Sequence, residues 1–377
     1  MSKTRLVETF TKLVQIDSVS RNEGAIHAYL HELFSTMGLE VTEDNSKEAT
    51  GLGGNNIIAT YYGKTNQEPL FFSCHTDTVT PGVGIEVVEK EGVLYSKGDT
   101  ILGADDKAGI AILIEAMQRI QEENIATGNI EIVLSPGEEI GLLGASALDM
   151  HLIEADYGYV LDSAFEVGRV TIASPTLFMY DVTITGKAAH AGLEPEKGVS
   201  CVSILAEALK SIPIGRLDEK TTTNIGVIQG GEATNIVMDK MLVKGEVRAI
   251  DPKRADQLVA QMQGAFEEAA EKFGGQVAIN VKKMATGFHI GDEEPVMQLF
   301  IQSAEKLGYE VIREISGGGS DANIFNTGGK TCVNFSIGYD KIHTTEELVV
   351  IDEMEKAVNL VIELLQQAPA KADSGDE

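Results

Sequence analysis

The chain has 377 residues, with 58 acidic against 30 basic side chains and a formal net charge of −28. That excess of negative charge argues against nucleic acid and anionic membrane as partners, and no apolar run reaches the ~18 residues needed to span a bilayer. A hydrophobic content of 43% is too high for a disordered chain, while three widely spaced cysteines suit a reducing, cytoplasmic setting better than a disulfide framework.

In chain order, residues 6–13 and 26–37 carry helical apolar spacing. His27 and His31 lie at i, i+4 in the second of these, but Ser35 stands where an H-E-x-x-H motif needs its second histidine, so the pair reads as a solvated helix face. Residues 57–62, 70–73, 130–134 and 157–161 are short apolar runs of strand type, and 108–120 is a strong helix between the second and third. Strands separated by helices predict an α/β fold with a mostly parallel, doubly wound sheet. Near Ser174 the pattern changes. A strand over 178–185, a helix over 199–211, strands over 222–228 and 241–249, a helix over 251–273 and a strand over 277–282 spell β-α-β-β-α-β. From about Phe288 the α/β style returns, so one α+β domain (176–287) is predicted to interrupt another (1–175 and 288–377). The small, acidic tail over 368–377 reads as a frayed end.

Five polar clusters fall at strand ends or loop tips: Cys74-His75-Thr76-Asp77, Gly103-Ala104-Asp105-Asp106-Lys107, Pro136-Gly137-Glu138-Glu139, Leu161-Asp162-Ser163 and Ile342-His343-Thr344-Thr345. Open parallel sheets bind ligands beyond the carboxyl ends of their strands, so these clusters are expected to converge. Two imidazoles with several carboxylates suit a divalent cation such as Zn, Mn or Co without any thiolate. Cys74, Cys201 and Cys332 read as buried thiols, and Lys107 as a helix-start residue balancing Asp105 and Asp106. Gly329-Lys330-Thr331 mimics the end of a P-loop, but Ile324 occupies the first glycine position, which excludes nucleotide binding there.

The motifs H-x-D (His75, Asp77), G-A-D-D-K-A-G (103–109) and G-E-E-x-G (137–141), with Asp162 after a strand and a late His343, resemble the M20 metallopeptidase family, and within it the peptidase T-like branch. The resemblance covers essentially the whole chain and makes the inserted domain a lid. It implies two metal ions per chain, one held by His75, Asp105 and Asp162 and the other by Asp105, Glu139 and His343. Asp105 would bridge them, with Asp106 as the alternative. Asp77 would fix the His75 ring by a hydrogen bond, and Glu138 would be the general base that takes a proton from an activated water and returns it to the leaving nitrogen. In the lid, His190 would reach the oxyanion, in its own subunit or across a lid-mediated homodimer. Arg248 would clamp a substrate carboxylate, with Asn235 and the loop of Gly318, Gly319 and Ser320 as further substrate contacts.

The function implied is an exopeptidase acting on short peptides. Asp at position 162 goes with aminopeptidases in the family, and a tripeptide-type enzyme is the nearest likeness. The turn His190-Ala191-Gly192-Leu193-Glu194-Pro195-Glu196 departs from the H-P-G and lysine-rich continuation of peptidase T, so a strict tripeptide preference is not implied. An N-acyl-amino-acid or dipeptide amidohydrolase is the alternative with the same metals. A catalytically inactive metal-binding relative is a third reading, which the retained Glu138 disfavours.

Overall fold

The structure, a computed structural model, describes residues 2–371, with side chains from Thr4 onward. Up to residue 174 the chain forms helices α1 (Ser2–Val14), α2 (Gly24–Thr36), α3 (Ser46–Thr50), α4 (Ala104–Glu122) and α5 (Leu143–Ser146). Interleaved with them are strands β1 (Glu40–Glu43), β2 (Ile57–Tyr61), β3 (Leu70–His75), β4 (Val87–Lys90), β5 (Val93–Ser96), β6 (Ile130–Ser135), β7 (Tyr157–Ser163) and β8 (Arg169–Ser174). There follow β9 (Thr176–Thr185), α6 (Cys201–Ala208), β10 (Gly215–Asp218), β11 (Thr221–Gly230), β12 (Lys240–Ala249), α7 (Pro252–Phe273) and β13 (Gln276–Ala285). The chain ends through β14 (Phe288–His289), α8 (Pro295–Lys306), β15 (Ile312–Ile315), α9 (Asp321–Thr327), β16 (Thr331–Ser336), β17 (Tyr339–Asp340), β18 (Leu348–Val350) and α10 (Ile351–Gln367).

Two units separate by their internal contacts. One comprises the chain up to Ile172, Ile290–Ile315 and everything from Ser320; the other comprises Ala173–His289 with Ser316–Gly319.

In the first unit the main sheet runs β1-β2-β6-β3-β7-β16-β8. Its centre, β6-β3-β7-β16, is parallel, and the flanks β1, β2 and β8 are antiparallel. Every residue of β3 and β6 is buried, which is why these segments read as unbroken apolar runs rather than as an alternation. Leu6, Phe10, Leu13 and Val14, buried at helical spacing, seat α1 on α4. The parallel register places Ser73 opposite Val160, so two residues further along both strands His75 stands level with Asp162. A second, small sheet, β17-β18-β5-β4, carries the loop 341–347. No described helix is long and apolar enough to cross a membrane.

The second unit is a five-stranded antiparallel sheet, β10-β11-β12-β9-β13, with its own core of Val182, Ile184, Val243, Ile204, Leu258 and Phe266. Asp251 caps α7 by accepting from the Lys253 N–H, and Pro252 opens it, as the sequence predicts. Strand β10 is the element the sequence pattern did not reveal: it is four residues long and mostly exposed, so it has no apolar alternation to read.

Two expectations need correction. His27 is not on a solvated face: it is 5% exposed, and its Nε2 lies 2.8 Å from Thr76 Oγ1. Burial lowers its pKa to about 4. The tail is not loose from residue 368, because Glu68 N–H donates to Pro369 O and Lys371 N–H to Asn66 O, both at 2.8 Å. Residues 372–377 lie outside the described part.

Candidate metal centre

His75 ends β3 and Asp162 lies near the end of β7. Glu138 and Glu139 follow β6 in a tight turn. Gly137 takes φ +69°, and a Cβ there would lie 2.5 Å from Leu52 Cδ2, so the turn favours glycine. Asp105 stands in the first turn of α4, and its peptide bond to Asp106 is cis. That helix lies close against the sheet because Gly109 has no Cβ, which would meet Asp106 Oδ1, Cys74 Sγ and Leu161 O at 2.5–2.7 Å. His343 joins from the 341–347 loop, with φ +63°, a left-handed conformation that costs a non-glycine residue about 1 kcal/mol.

These side chains meet. His75 Nε2 is 2.8 Å from Asp105 Oδ1 and 3.8 Å from Asp162 Oδ1. His343 Nε2 is 2.8 Å from Glu139 Oε1 and 3.3 Å from Asp105 Oδ2. Donor atoms of His75, Asp105 and Asp162 all lie within 4.8 Å of one another, as do those of Asp105, Glu139 and His343, and those of His75, Glu138 and Glu139. Asp105 thus turns one oxygen to each histidine and belongs to two of the three groups. Asp106 belongs to none: it is fully buried, and its Oδ2 accepts from the His75 backbone N–H at 3.2 Å.

Asp77 does more than the sequence suggested. His75 Nδ1 donates over 2.9 Å to the Asp77 backbone carbonyl, while the Asp77 carboxylate is 3.5 Å away. This turns Nε2 toward Asp105 and Asp162. The buried carboxylate of Asp77 accepts instead from the N–H groups of Glu138 (2.9 Å) and Glu139 (3.3 Å) and from Ser20 Oγ (2.6 Å). It fixes the turn carrying both glutamates.

The electrostatics are those of a site crowded with acids. Burial, with Asp105 close by, pushes the Asp162 carboxyl well above its ordinary range. Glu138 is also raised well above, again first by burial. Burial opposes charging of His75, but Asp105 and Asp77 outweigh it and hold the imidazolium well above its usual range. His343, paired with Asp105 and Glu139, is pushed up to about 10.

Several neighbours had no distinguishing signal in the sequence. Tyr339 Oη donates to Asp162 Oδ1 at 2.7 Å, and Asn334 holds the Asp162 backbone from both sides. Glu347, 1% exposed, accepts from three backbone N–H groups of the Asp105 loop. Lys107 corrects an expectation. It is fully buried and donates to Ile16 O at 2.7 Å rather than to Asp105 or Asp106. Burial lowers its pKa to about 7, which Asp17, Glu347 and Asp77 offset only in part.

The remaining predicted residues are seen in their own surroundings. His190 is exposed, and its Nδ1 accepts from Gly192 N–H at 3.2 Å. Asn235 is beside it in the second unit: Ala191 N–H donates to Asn235 O at 2.9 Å. Arg248 is already engaged, by both oxygens of Glu246 (2.9 and 3.0 Å) and by Gly317 O (2.7 Å). Gly318 O accepts from Ser174 Oγ at 2.7 Å. Gly319 is exposed, and Ser320 N–H donates to Asn323 Oδ1 at 3.0 Å at the start of α9.

The comparisons agree with this fold. Residues 71–367 match the model of peptidase family M20/M25/M40. The chain belongs to that family and is a hydrolase of peptide bonds. It is similar to the crystal structure of aminopeptidase PepT from Bacillus cereus, with 42% identity, TM-score 0.95 and 97% and 98% of the two chains covered. It is also similar to that of a tripeptidase from Staphylococcus aureus, with 41% identity, TM-score 0.93 and the same coverage. The uncharacterized protein YqjE of Bacillus subtilis is 42% identical over 368 residues, covering 98% of this chain and 99% of the relative.

Proposed function

We propose that the chain is a dinuclear-metal aminopeptidase that removes the first residue from short peptides, with tripeptides as its leading substrate class. The observation that carries this reading is the Asp105 carboxylate, with one oxygen 2.8 Å from the His75 ring and the other 3.3 Å from the His343 ring. Four carboxylates and two imidazoles crowd that place, and such a donor set of nitrogen and oxygen fits two divalent cations, Zn first and Mn or Co next. His75, Asp105 and Asp162 would hold one, and Asp105, Glu139 and His343 the other. When bound, such cations supply Lewis acidity to a carbonyl and lower the pKa of water.

The chain's own groups do the rest. Glu138, whose carboxyl burial holds above its ordinary range, is the group we assign to take a proton from the attacking water and to hand it to the leaving nitrogen. Asp77 keeps Glu138 at its station through the backbone. His190, exposed in its turn, is the group we assign to the developing oxyanion. Arg248 is assigned to the far carboxylate of the peptide, with Asn235, Gly318, Gly319 and Ser320 as further contacts. The likeness to an aminopeptidase and a tripeptidase over nearly the full chain supports the substrate class. A homodimer through the second unit and a cytoplasmic location accompany this reading; the exposed Met179 and Ile228 on that unit's sheet and the three free, buried cysteines are consistent with them.

A panel of dipeptides and tripeptides, free or blocked at either end, with Zn, Mn or Co added, tests the proposal. Hydrolysis that requires a free amino terminus is expected. Cleavage of N-acylated substrates instead would replace it with an amidohydrolase.

A further inference from the structure

Glu347 lies four residues beyond His343 in a charged run, Glu346-Glu347, that looks like ordinary surface. In the fold Glu346 is exposed and Glu347 is buried. Its Oε2 accepts from the backbone N–H groups of Leu102 (2.7 Å) and Gly103 (2.8 Å), and its Oε1 from that of Asp105 (3.1 Å). Its own N–H donates to Thr344 O at 3.2 Å, closing the turn that follows His343. One carboxylate thereby ties together two segments some 240 residues apart in sequence, each carrying one of the residues whose donor atoms meet.

We propose that Glu347 is a positioning residue that sets the spacing between Asp105 and His343, and through it the affinity of the second cation site. The inference rests on the reading of Asp105 and His343 as ligands. A carboxylate accepting several N–H bonds out of water makes charge-assisted bonds, stronger than those of a neutral acceptor. Its removal leaves three backbone donors without a partner. Glutamine in its place offers one acceptor oxygen and turns N–H groups toward N–H groups. A plain helix cap on α4 would act differently: its loss would lower stability and leave cation affinity untouched.

The test compares wild type with Glu347→Gln, Glu347→Ala and Glu347→Asp. Each is stripped with chelator and dialysed against graded Zn or Mn, the bound metal per chain is counted by elemental analysis, and the thermal midpoint of the metal-free form is measured alongside. Glu347→Gln and Glu347→Ala are expected to weaken one cation at least tenfold, the usual effect of losing a group that orients ligands. They then fall below two per chain at a concentration that fills wild type, whereas Glu347→Asp, which keeps the charge one methylene shorter, falls between. Should the alanine variant not fold, the glutamine and aspartate variants carry the comparison. Two cations at wild-type affinity in folded variants, whatever their midpoint, overturn the proposal. A wild type that itself takes up fewer than two overturns the underlying assignment of the site, which is a distinguishable result.

Discussion

Glu138 and His343 sit in the same cluster but should fail in different ways when replaced. Glu138→Ala removes the proposed proton carrier while leaving the groups His75, Asp105, Asp162 and Asp105, Glu139, His343 complete. It is expected to keep two metals per chain and to lose at least about 100-fold in kcat; preserved turnover at full metal content would take Glu138 out of the base role. His343→Ala removes a donor, so elemental analysis should find fewer than two metals per chain. His190 is exposed in the second unit and belongs to neither set. His190→Ala should therefore lower kcat with metal content unchanged, and an unaltered kcat would make it an ordinary turn residue.

The turn after β6 is the element where a small change should have the largest effect. Gly137→Ala puts a side chain at φ +69° and against Leu52, beside the two N–H groups that Asp77 holds. A cost of about 1–2 kcal/mol is expected from the backbone alone, visible as a lower melting temperature together with a drop in kcat. A glycine-like melting curve would show that the turn adapts. Elements of this kind were legible in the sequence where hydrophobic run length and special residues decide them. The buried strands β3 and β6 and the capped helix α7 belong to that class, as do the motif residues at the strand ends, which do stand within reach of one another. What was not legible depends on contacts between distant segments. His27 looked solvated because its helix face carries polar residues, yet Thr76 covers it. Glu347 gave no signal because its partners are backbone N–H groups, which leave no trace in side-chain pattern. The weak strand β10 has no periodicity to detect.

For the molecule as a whole, uptake of metal should be coupled to pH. In the metal-free protein His343 is held near 10, so at pH 7 it carries a proton that a cation must displace. Affinity should therefore rise with pH, and titration calorimetry in two buffers of different ionisation enthalpy should give different observed heats as protons are released to the buffer; equal observed heats in the two buffers would contradict this. The order in which the chain delivers these groups has a further consequence. His75, Asp105, Glu139 and Asp162 all precede the second unit, whereas His343 and the inner strand β16 follow it. During synthesis the last of these groups and the strand between β7 and β8 therefore emerge only after the whole second unit has been made. A chain whose synthesis has not passed the second unit holds neither a finished sheet nor the His343 side of the cluster around Asp105, so the cluster can form only after that unit has been made.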